Sequence, residues 1–448
     1  MNNNLTLEQF LSEYKINDED DVPDERLDDE IKKIINGIVS DTDKYSNPIL
    51  NYYAAMYYFY RLKNYVLAEK YYLFAVDDGH LGSMNCLGCM YQGDQSKIEE
   101  AKKYYSMAAD KGLTVAMFNL ASLYEENGEL DLAKEYYLKA IENKHTNAML
   151  NLGNMYFKEN NINLAEKCYL MGVDRGDGDA MFNLGNLYQE SGQFELAEKF
   201  FLNGVACNNV KAINGLACLY GSVDKHDEAI KYFLVAVEKD YGPAMHNLGC
   251  AYGLLGKVEL AEKYYLMAVN KNDVDAMNNL GCLYGEQGKI EFAEKYLMMA
   301  AANDDQSALY NLGSLYHKGH NFPLAEKCFK RLIEKGHVPA MNYLGSLYQE
   351  NKQYELAEES FQLGIKAGDS DAVFNLAVLK EEVGDSEAAE RYYLISVKNG
   401  DHSAMYNLAN LYGNRGDSVL AEQFYNMAIA VPNSSSEDPD ESSGDDLS

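Results

Sequence analysis

The chain has 448 residues, 47% of them apolar and 24% charged, and a formal net charge of −31. That is a globular composition, and its acidity disfavours nucleic-acid phosphates and anionic lipid headgroups. No apolar run reaches the roughly 18 residues of a membrane span, and eight Cys are too sparse for a disulfide scaffold. The first residues lack the basic and apolar regions of a secretory signal, so a cytoplasmic protein is expected.

Residues 1–46 carry 13 acids and 5 bases. Thr6 with Gln9 reads as a capping box opening a helix to about Tyr14, and Glu25 to Ile38 reads as another. This segment is expected to be the polar N-terminal cap that a repeat array needs. Residues 47–430 then hold one recurring unit. The Ala of its Leu-Ala-Glu-Lys stretch falls at Ala68, Ala101, Ala133, Ala165, Ala197, Ala229, Ala261, Ala293, Ala325, Ala357, Ala389 and Ala421. Ten of the eleven steps are 32 residues and the first is 33, the extra residue falling near Gly93-Asp94-Gln95. About twelve 32-residue repeats are therefore expected, each a helix-turn-helix unit.

The first helix of a repeat is typified by Ala244-Met245-His246-Asn247-Leu248-Gly249-Cys250-Ala251-Tyr252. Its Ala, Met, Leu and Tyr form one stripe of a 3.6-residue period. A short turn follows, often with glycine, as at Gly128, Gly192 and Gly256. The second helix is typified by Leu260-Ala261-Glu262-Lys263-Tyr264-Tyr265-Leu266-Met267-Ala268, with Ala261 and Ala268 on one face. No segment alternates like a strand. The fold class is read as all-α, an α-solenoid. Residues 431–448 carry six acids and no base and are expected to form a disordered acidic tail, with Ser436 and Ser443 as candidate sites for an acid-directed kinase.

Two columns predict how the helices meet. Gly88, Gly153, Gly185, Gly249, Gly281, Gly313 and Gly345 recur inside first helices, with Ala121, Ala217, Ala377 and Ala409 in the same place elsewhere. A glycine there costs up to about 1 kcal/mol of helix propensity. It is expected where the large residue four positions after the second-helix Ala must fit: Tyr105, Tyr169, Phe201, Tyr265, Phe329 and Phe361, with Leu297 the exception.

On these residues the chain resembles the tetratricopeptide repeat: Asn-Leu-Gly-x-x-Tyr, then Ala twelve residues after the Gly, then an aromatic residue. Its inter-repeat turns, such as Lys335-Gly336-His337-Val338-Pro339-Ala340-Met341, resemble the related Sel-one-like repeat. Met84, Met117, Met149, Met181, Met245, Met277, Met341 and Met405 stand where the tetratricopeptide family keeps Trp. The resemblance implies a right-handed superhelix whose concave face is lined by first helices. It also implies protein–protein interaction rather than catalysis.

The most informative polar column lies two residues before the Gly: Asn119, Asn151, Asn183, Asn247, Asn279, Asn311, Asn375 and Asn407. Three repeats carry the Asn one residue earlier, as Asn85, Asn214 and Asn342. Asparagine is a poor helix former, so its presence in every repeat needs a cause. Two readings stand. The amides, each a donor and an acceptor, pair with the backbone of an extended peptide, as a similar ladder does in some tetratricopeptide arrays. Alternatively, they bond an adjacent helix and set the angle between repeats. Beside them run a column of Phe118, Leu150, Phe182, His246, Tyr310, Phe374 and Tyr406, and a column of small residues: Cys89, Ser122, Asn154, Asn186, Cys218, Cys250, Cys282, Ser314 and Ser346. Rings at helical spacing are read as core, and the small residues as keeping a groove open.

First helices lack the basic residues of a carboxylate clamp, apart from Lys211, whereas Glu125, Glu126, Glu190, Glu286, Glu350, Glu381 and Glu382 lie near their ends. A basic or neutral segment is the better ligand. Cys86-Leu87-Gly88-Cys89 lacks the second ligand pair of a zinc site, and His317-x-x-His320 lacks a third ligand. No phosphate loop or nucleophile elbow is present. Outer-face carboxylates such as Glu259 are read as solubilising i,i+4 pairs with lysines such as Lys263. No catalytic, cofactor or metal site is expected. The chain reads as a non-enzymatic scaffold or adaptor for a protein or peptide partner, binding neither nucleic acid nor membrane. A self-assembling structural protein and an enzyme-recruiting regulatory subunit are the alternatives.

Overall fold

Two thirteen-residue helices and two three-residue turns fill a 32-residue period, and the computed structural model repeats that unit throughout the residues it describes, 48–430. The cap, the acidic tail, Ser436 and Ser443 lie outside the described residues. Twenty-four α-helices and no strands occur among the described residues. By contacts the chain divides into two units, 1–215 and 216–448.

In the first unit, α1 (Pro48–Met56) pairs with α2 (Tyr65–Asp77), α3 (Leu81–Gln92) with α4 (Ile98–Asp110), and α5 (Thr114–Glu126) with α6 (Leu130–Glu142). There follow α7 (Thr146–Lys158) with α8 (Ile162–Val173), and α9 (Gly178–Glu190) with α10 (Phe194–Ala206). Helix α11 (Val210–Ser222) contains the division between the units. The second unit continues with α12 (His226–Glu238), then the hairpins α13 (Gly242–Leu254) with α14 (Val258–Val269) and α15 (Val274–Glu286) with α16 (Ile290–Ala302). It ends with α17 (Gln306–Lys318) and α18 (Phe322–Glu334), α19 (Pro339–Glu350) and α20 (Tyr354–Lys366), α21 (Asp371–Glu382) and α22 (Ser386–Lys398), and α23 (His402–Asn414) and α24 (Ser418–Ala430).

Local rules set the boundaries. The Asp177 carboxylate caps α9 by accepting from the backbone N–H of Asp179 at 2.8 Å and of Ala180 at 3.0 Å. Except between α3 and α4, the turn inside each hairpin takes one residue into the left-handed region, glycine at Gly128 (φ 78°) but Asn160 (φ 59°) and Lys352 (φ 56°) at the equivalent place. The 33-residue step is absorbed by a 3₁₀ turn, Gln95–Lys97, which Asp94 caps through the Ser96 N–H at 3.0 Å. One feature has no sequence signal: α1 runs into a π-helical turn, Tyr57–Arg61.

The glycine column is a row of sockets. A Cβ on Gly249 would lie 2.5 Å from the Tyr265 ring, one on Gly153 2.5 Å from Tyr169, and one on Gly345 2.5 Å from Phe361. Even the exceptional Leu297 fills its socket, 2.6 Å from a Cβ on Gly281. The methionine column is core as well: Met84, Met149, Met245 and Met277 are all buried.

Repeats are joined by a second tyrosine column. Tyr91, Tyr188, Tyr284, Tyr316, Tyr348 and Tyr412 close first helices, and each donates its hydroxyl to a glutamate 22 residues earlier: Glu69, Glu166, Glu262, Glu294, Glu326 and Glu390, at 2.5 to 2.9 Å. These are the glutamates that follow the recurring second-helix Ala, so they tie neighbouring repeats as well as coating the surface. The expected Glu259–Lys263 pair does not form; Lys263 lies over the Tyr264 ring, 5.0 Å from its centroid. An amphipathic lysine stem gains more by covering a ring than by holding an exposed ion pair, which is worth little in water. Among i,i+4 pairs, Glu135–Lys139 and Glu326–Lys330 do form.

Burial, and secondarily the glutamate acceptor, pushes the phenols of Tyr188 and Tyr412 up to about 12. The fold therefore favours the neutral phenol. Its stabilisation is complete below the ordinary tyrosine value of about 10 and is lost as pH climbs toward about 12. Tyrosinate absorbance is expected to rise late and together with loss of helical circular dichroism. Early ionisation with helices intact would contradict this linkage.

Candidate functional site

The asparagine column faces the preceding repeat. In the first unit, Asn119 Nδ2 donates to Asn85 Oδ1 at 2.9 Å, Asn151 Nδ2 to Tyr137 Oη at 3.1 Å, and Asn183 Nδ2 to Asn154 Oδ1 at 3.1 Å. In the second unit, Asn247 Nδ2 meets Cys218 Sγ at 3.4 Å and Asn279 Nδ2 meets His246 Nε2 at 3.0 Å. There too, Asn311 Nδ2 donates to Asn278 Oδ1 at 2.9 Å, Asn375 Nδ2 to Asn342 Oδ1 at 2.9 Å, and Asn407 Nδ2 to Tyr393 Oη at 3.4 Å. All eight are half-buried. Each amide thus has a donor committed between repeats, which accounts for asparagine inside a helix. The acceptor is whatever the preceding repeat offers in the aromatic and small columns or at the socket-filling tyrosine.

Around this column the first unit holds a cleft of about 370 Å³, built by α5, α7 and α9. Its lining includes Asn151 and Asn183 of the ladder, Asn154 and Asn186 of the small column, and Tyr169, Phe157, Lys158, Glu125 and Glu190. Asn154 Oδ1 accepts from Tyr169 Oη at 2.7 Å as well as from Asn183. Glu125 accepts from Tyr137 Oη at 2.9 Å and lies 3.7 Å from Lys158 Nζ. A second cleft of about 590 Å³ adjoins it, lined by Ser122, Glu125, Glu126, Leu130, Met155, Lys158 and Glu159. In the second unit, Ser346, Gln349, Glu350, Lys352 and Glu382 line a cleft of about 360 Å³. All three have carboxylates at the ends of first helices. Asn154 and Asn186 join the site although the sequence marked them only as small; the available signal was an amide in a column of Cys and Ser.

The other candidates settle as follows. The aromatic column is half-buried rather than core: Phe118 stacks on His145 with centroids 4.5 Å apart, and Tyr406 is 49% exposed. Lys211 pairs with Asp179 at 3.0 Å. His317 Nε2 meets Glu350 at 2.6 Å. None of the eight cysteines is in a disulfide, and among the described residues no three His, Cys, Asp or Glu side chains are grouped to hold a metal ion. No described helix is long and apolar enough to cross a membrane.

Tetratricopeptide-repeat models match residues 115–144, 178–205, 242–270, 310–372 and 374–437, and the Sel1-repeat model matches 50–80, 83–113, 146–177, 210–241 and 274–305. The two kinds alternate through most of the array. No curated protein matches the chain. Among solved structures, a protective antigen of uropathogenic Escherichia coli displaying an SLR fold aligns over 92% of this chain and 99% of its own, at 17% identity and a TM-score of 0.44. A Sel1 repeat protein from Oxalobacter formigenes aligns over 64% of this chain and 93% of its own, at 18% identity and a TM-score of 0.49. The repeat models, on the helical hairpins described above, place this chain among the tetratricopeptide and Sel1 helical-repeat proteins.

Proposed function

We propose that the chain is a non-enzymatic scaffold that binds an extended, basic or neutral protein segment along the first-helix face of its repeats. Proteins built from these repeats are typically interaction scaffolds. The observation that carries the reading is the cleft on α5, α7 and α9, where amides recur at the repeat spacing beneath Glu125 and Glu190. Asn151, Asn183 and the rest of the ladder hold the repeats in register, and their amide oxygens offer acceptors to a peptide N–H. Asn154 and Asn186 supply the donors. A partner lysine or arginine meets the rim glutamates, whereas a phosphate backbone is repelled.

A peptide array probed with the full chain tests this. Each lost amide hydrogen bond weakens binding by about 1 kcal/mol, so Asn154→Ala/Asn186→Ala should cost about tenfold or more on basic and neutral peptides. Its circular dichroism should stay that of the parent. Undiminished binding by that folded variant would overturn the reading.

A further inference from the structure

The small-residue column holds cysteine in three successive repeats, Cys218, Cys250 and Cys282. Four residues earlier on the same helix stand Asn214, His246 and Asn278 respectively. Only the middle repeat therefore stacks an imidazole on a thiol, one helical turn apart. Cys250 Sγ lies 3.4 Å from His246 Nε2. From the next repeat, the Asn279 amide reaches both, with Nδ2 3.0 Å from the His246 nitrogen and 3.6 Å from the sulfur. The thiol is half-buried, on the same face as the asparagine ladder.

We propose that Cys250 and His246 form a reactive thiol site, which captures a small disulfide as a mixed disulfide on the ladder face. The Sγ proton moves to His246 Nε2. Sγ then attacks one sulfur of the disulfide; the new S–S bond forms as the old one breaks, and the leaving thiolate departs with the electron pair and takes the proton from His246. The protein sulfur is oxidised and the leaving sulfur reduced. Before attack, the thiolate accepts from two donors, the imidazolium N–H and the Asn279 amide, whereas Cys218, which also meets an amide, that of Asn247, has asparagine in place of the imidazole.

Other groups packed against the pair favour the same charge separation or stay neutral. Asp273 and Asp275 support the imidazolium, and the neutral Tyr265 hydroxyl favours the thiolate. His246 is raised above its ordinary value, chiefly by its bond to Cys250, and Cys250 is lowered because these bonds and the His246 charge outweigh burial. In contrast, burial pushes Cys218 up to about 11 and raises Cys282, near which Glu286 and Asp305 add repulsion.

Dithiodipyridine, a small aromatic disulfide, is the probe, added in limiting amount to the full chain at about pH 6, with the adduct located by peptide mass spectrometry. Cys250 should react at least about tenfold faster than Cys218 and Cys282. His246→Asn recreates the setting of Cys282 and should abolish that preference. Cys250→Ser should leave the remaining thiols at their parent rates. Equal rates at the three cysteines, or an undiminished Cys250 rate in folded His246→Asn, would overturn the proposal. The readout needs no peptide ligand, so it stands or falls separately from the scaffold reading.

Discussion

Replacing Phe361 with alanine is expected to destabilise the α19–α20 hairpin by about 3 to 5 kcal/mol, the cost of emptying a large aromatic site in a core that cannot collapse. The ring is fully buried, and it fills the socket that Gly345 leaves, 2.5 Å from where a Cβ would stand. Phe361→Leu should cost much less, because Leu297 already fills the equivalent socket over Gly281. In a repeat array the loss is partly local, since each repeat contacts mainly its neighbours. Amide hydrogen exchange is therefore the measurement. Protection should fall most in residues 339–366 and their adjoining repeats, ahead of any change in the melting midpoint. Uniform or absent loss would show that the socket is not a unit of stability.

Gly185→Val is expected to cost about 2 to 3 kcal/mol. A Cβ at Gly185 would stand 2.5 Å from the Phe201 ring, and one at Gly215 2.7 Å from the same ring. The ring is held between two glycines, so it cannot swing away from a new side chain on one side without meeting backbone on the other. Against this, valine recovers only about 0.5 kcal/mol of helix propensity over glycine. Alanine is the informative contrast. It recovers up to about 1 kcal/mol of propensity and adds a single methyl, and the chain itself carries Ala121 and Ala377 at the equivalent position in the repeats of Tyr137 and Tyr393. Gly185→Ala should thus lose less than Gly185→Val, although its Cβ still meets the Phe201 ring at 2.5 Å. Denaturant unfolding of both variants checks the order; equal losses would refute it.

Much of the hairpin architecture was legible because its determinants are local. A glycine and an aromatic that recur at fixed offsets within one repeat state directly which side chain enters which gap, and the structure places Tyr105, Phe201 and Phe361 over Gly88, Gly185 and Gly345 accordingly. The extra residue near Asp94 was equally readable, since a break in a strict period marks a turn. The tie that Glu262 makes between repeats was not legible, for the opposite reason. Its partner, Tyr284, lies in the next repeat, and the i,i+4 rule looks only along one helix.

The asparagine ladder shows where the two kinds of information divide. The sequence by itself determined the all-α repeat, its period, and an amide in every first helix, because these follow from side-chain size and hydrogen-bonding capacity counted along the chain. Only the tertiary structure decided what each amide meets: Asn85 for Asn119, Tyr137 for Asn151, Cys218 for Asn247, His246 for Asn279. The physical reason is that the small rotation from one repeat to the next decides which acceptor comes within reach of each amide Nδ2. No count of residues along one chain contains that rotation.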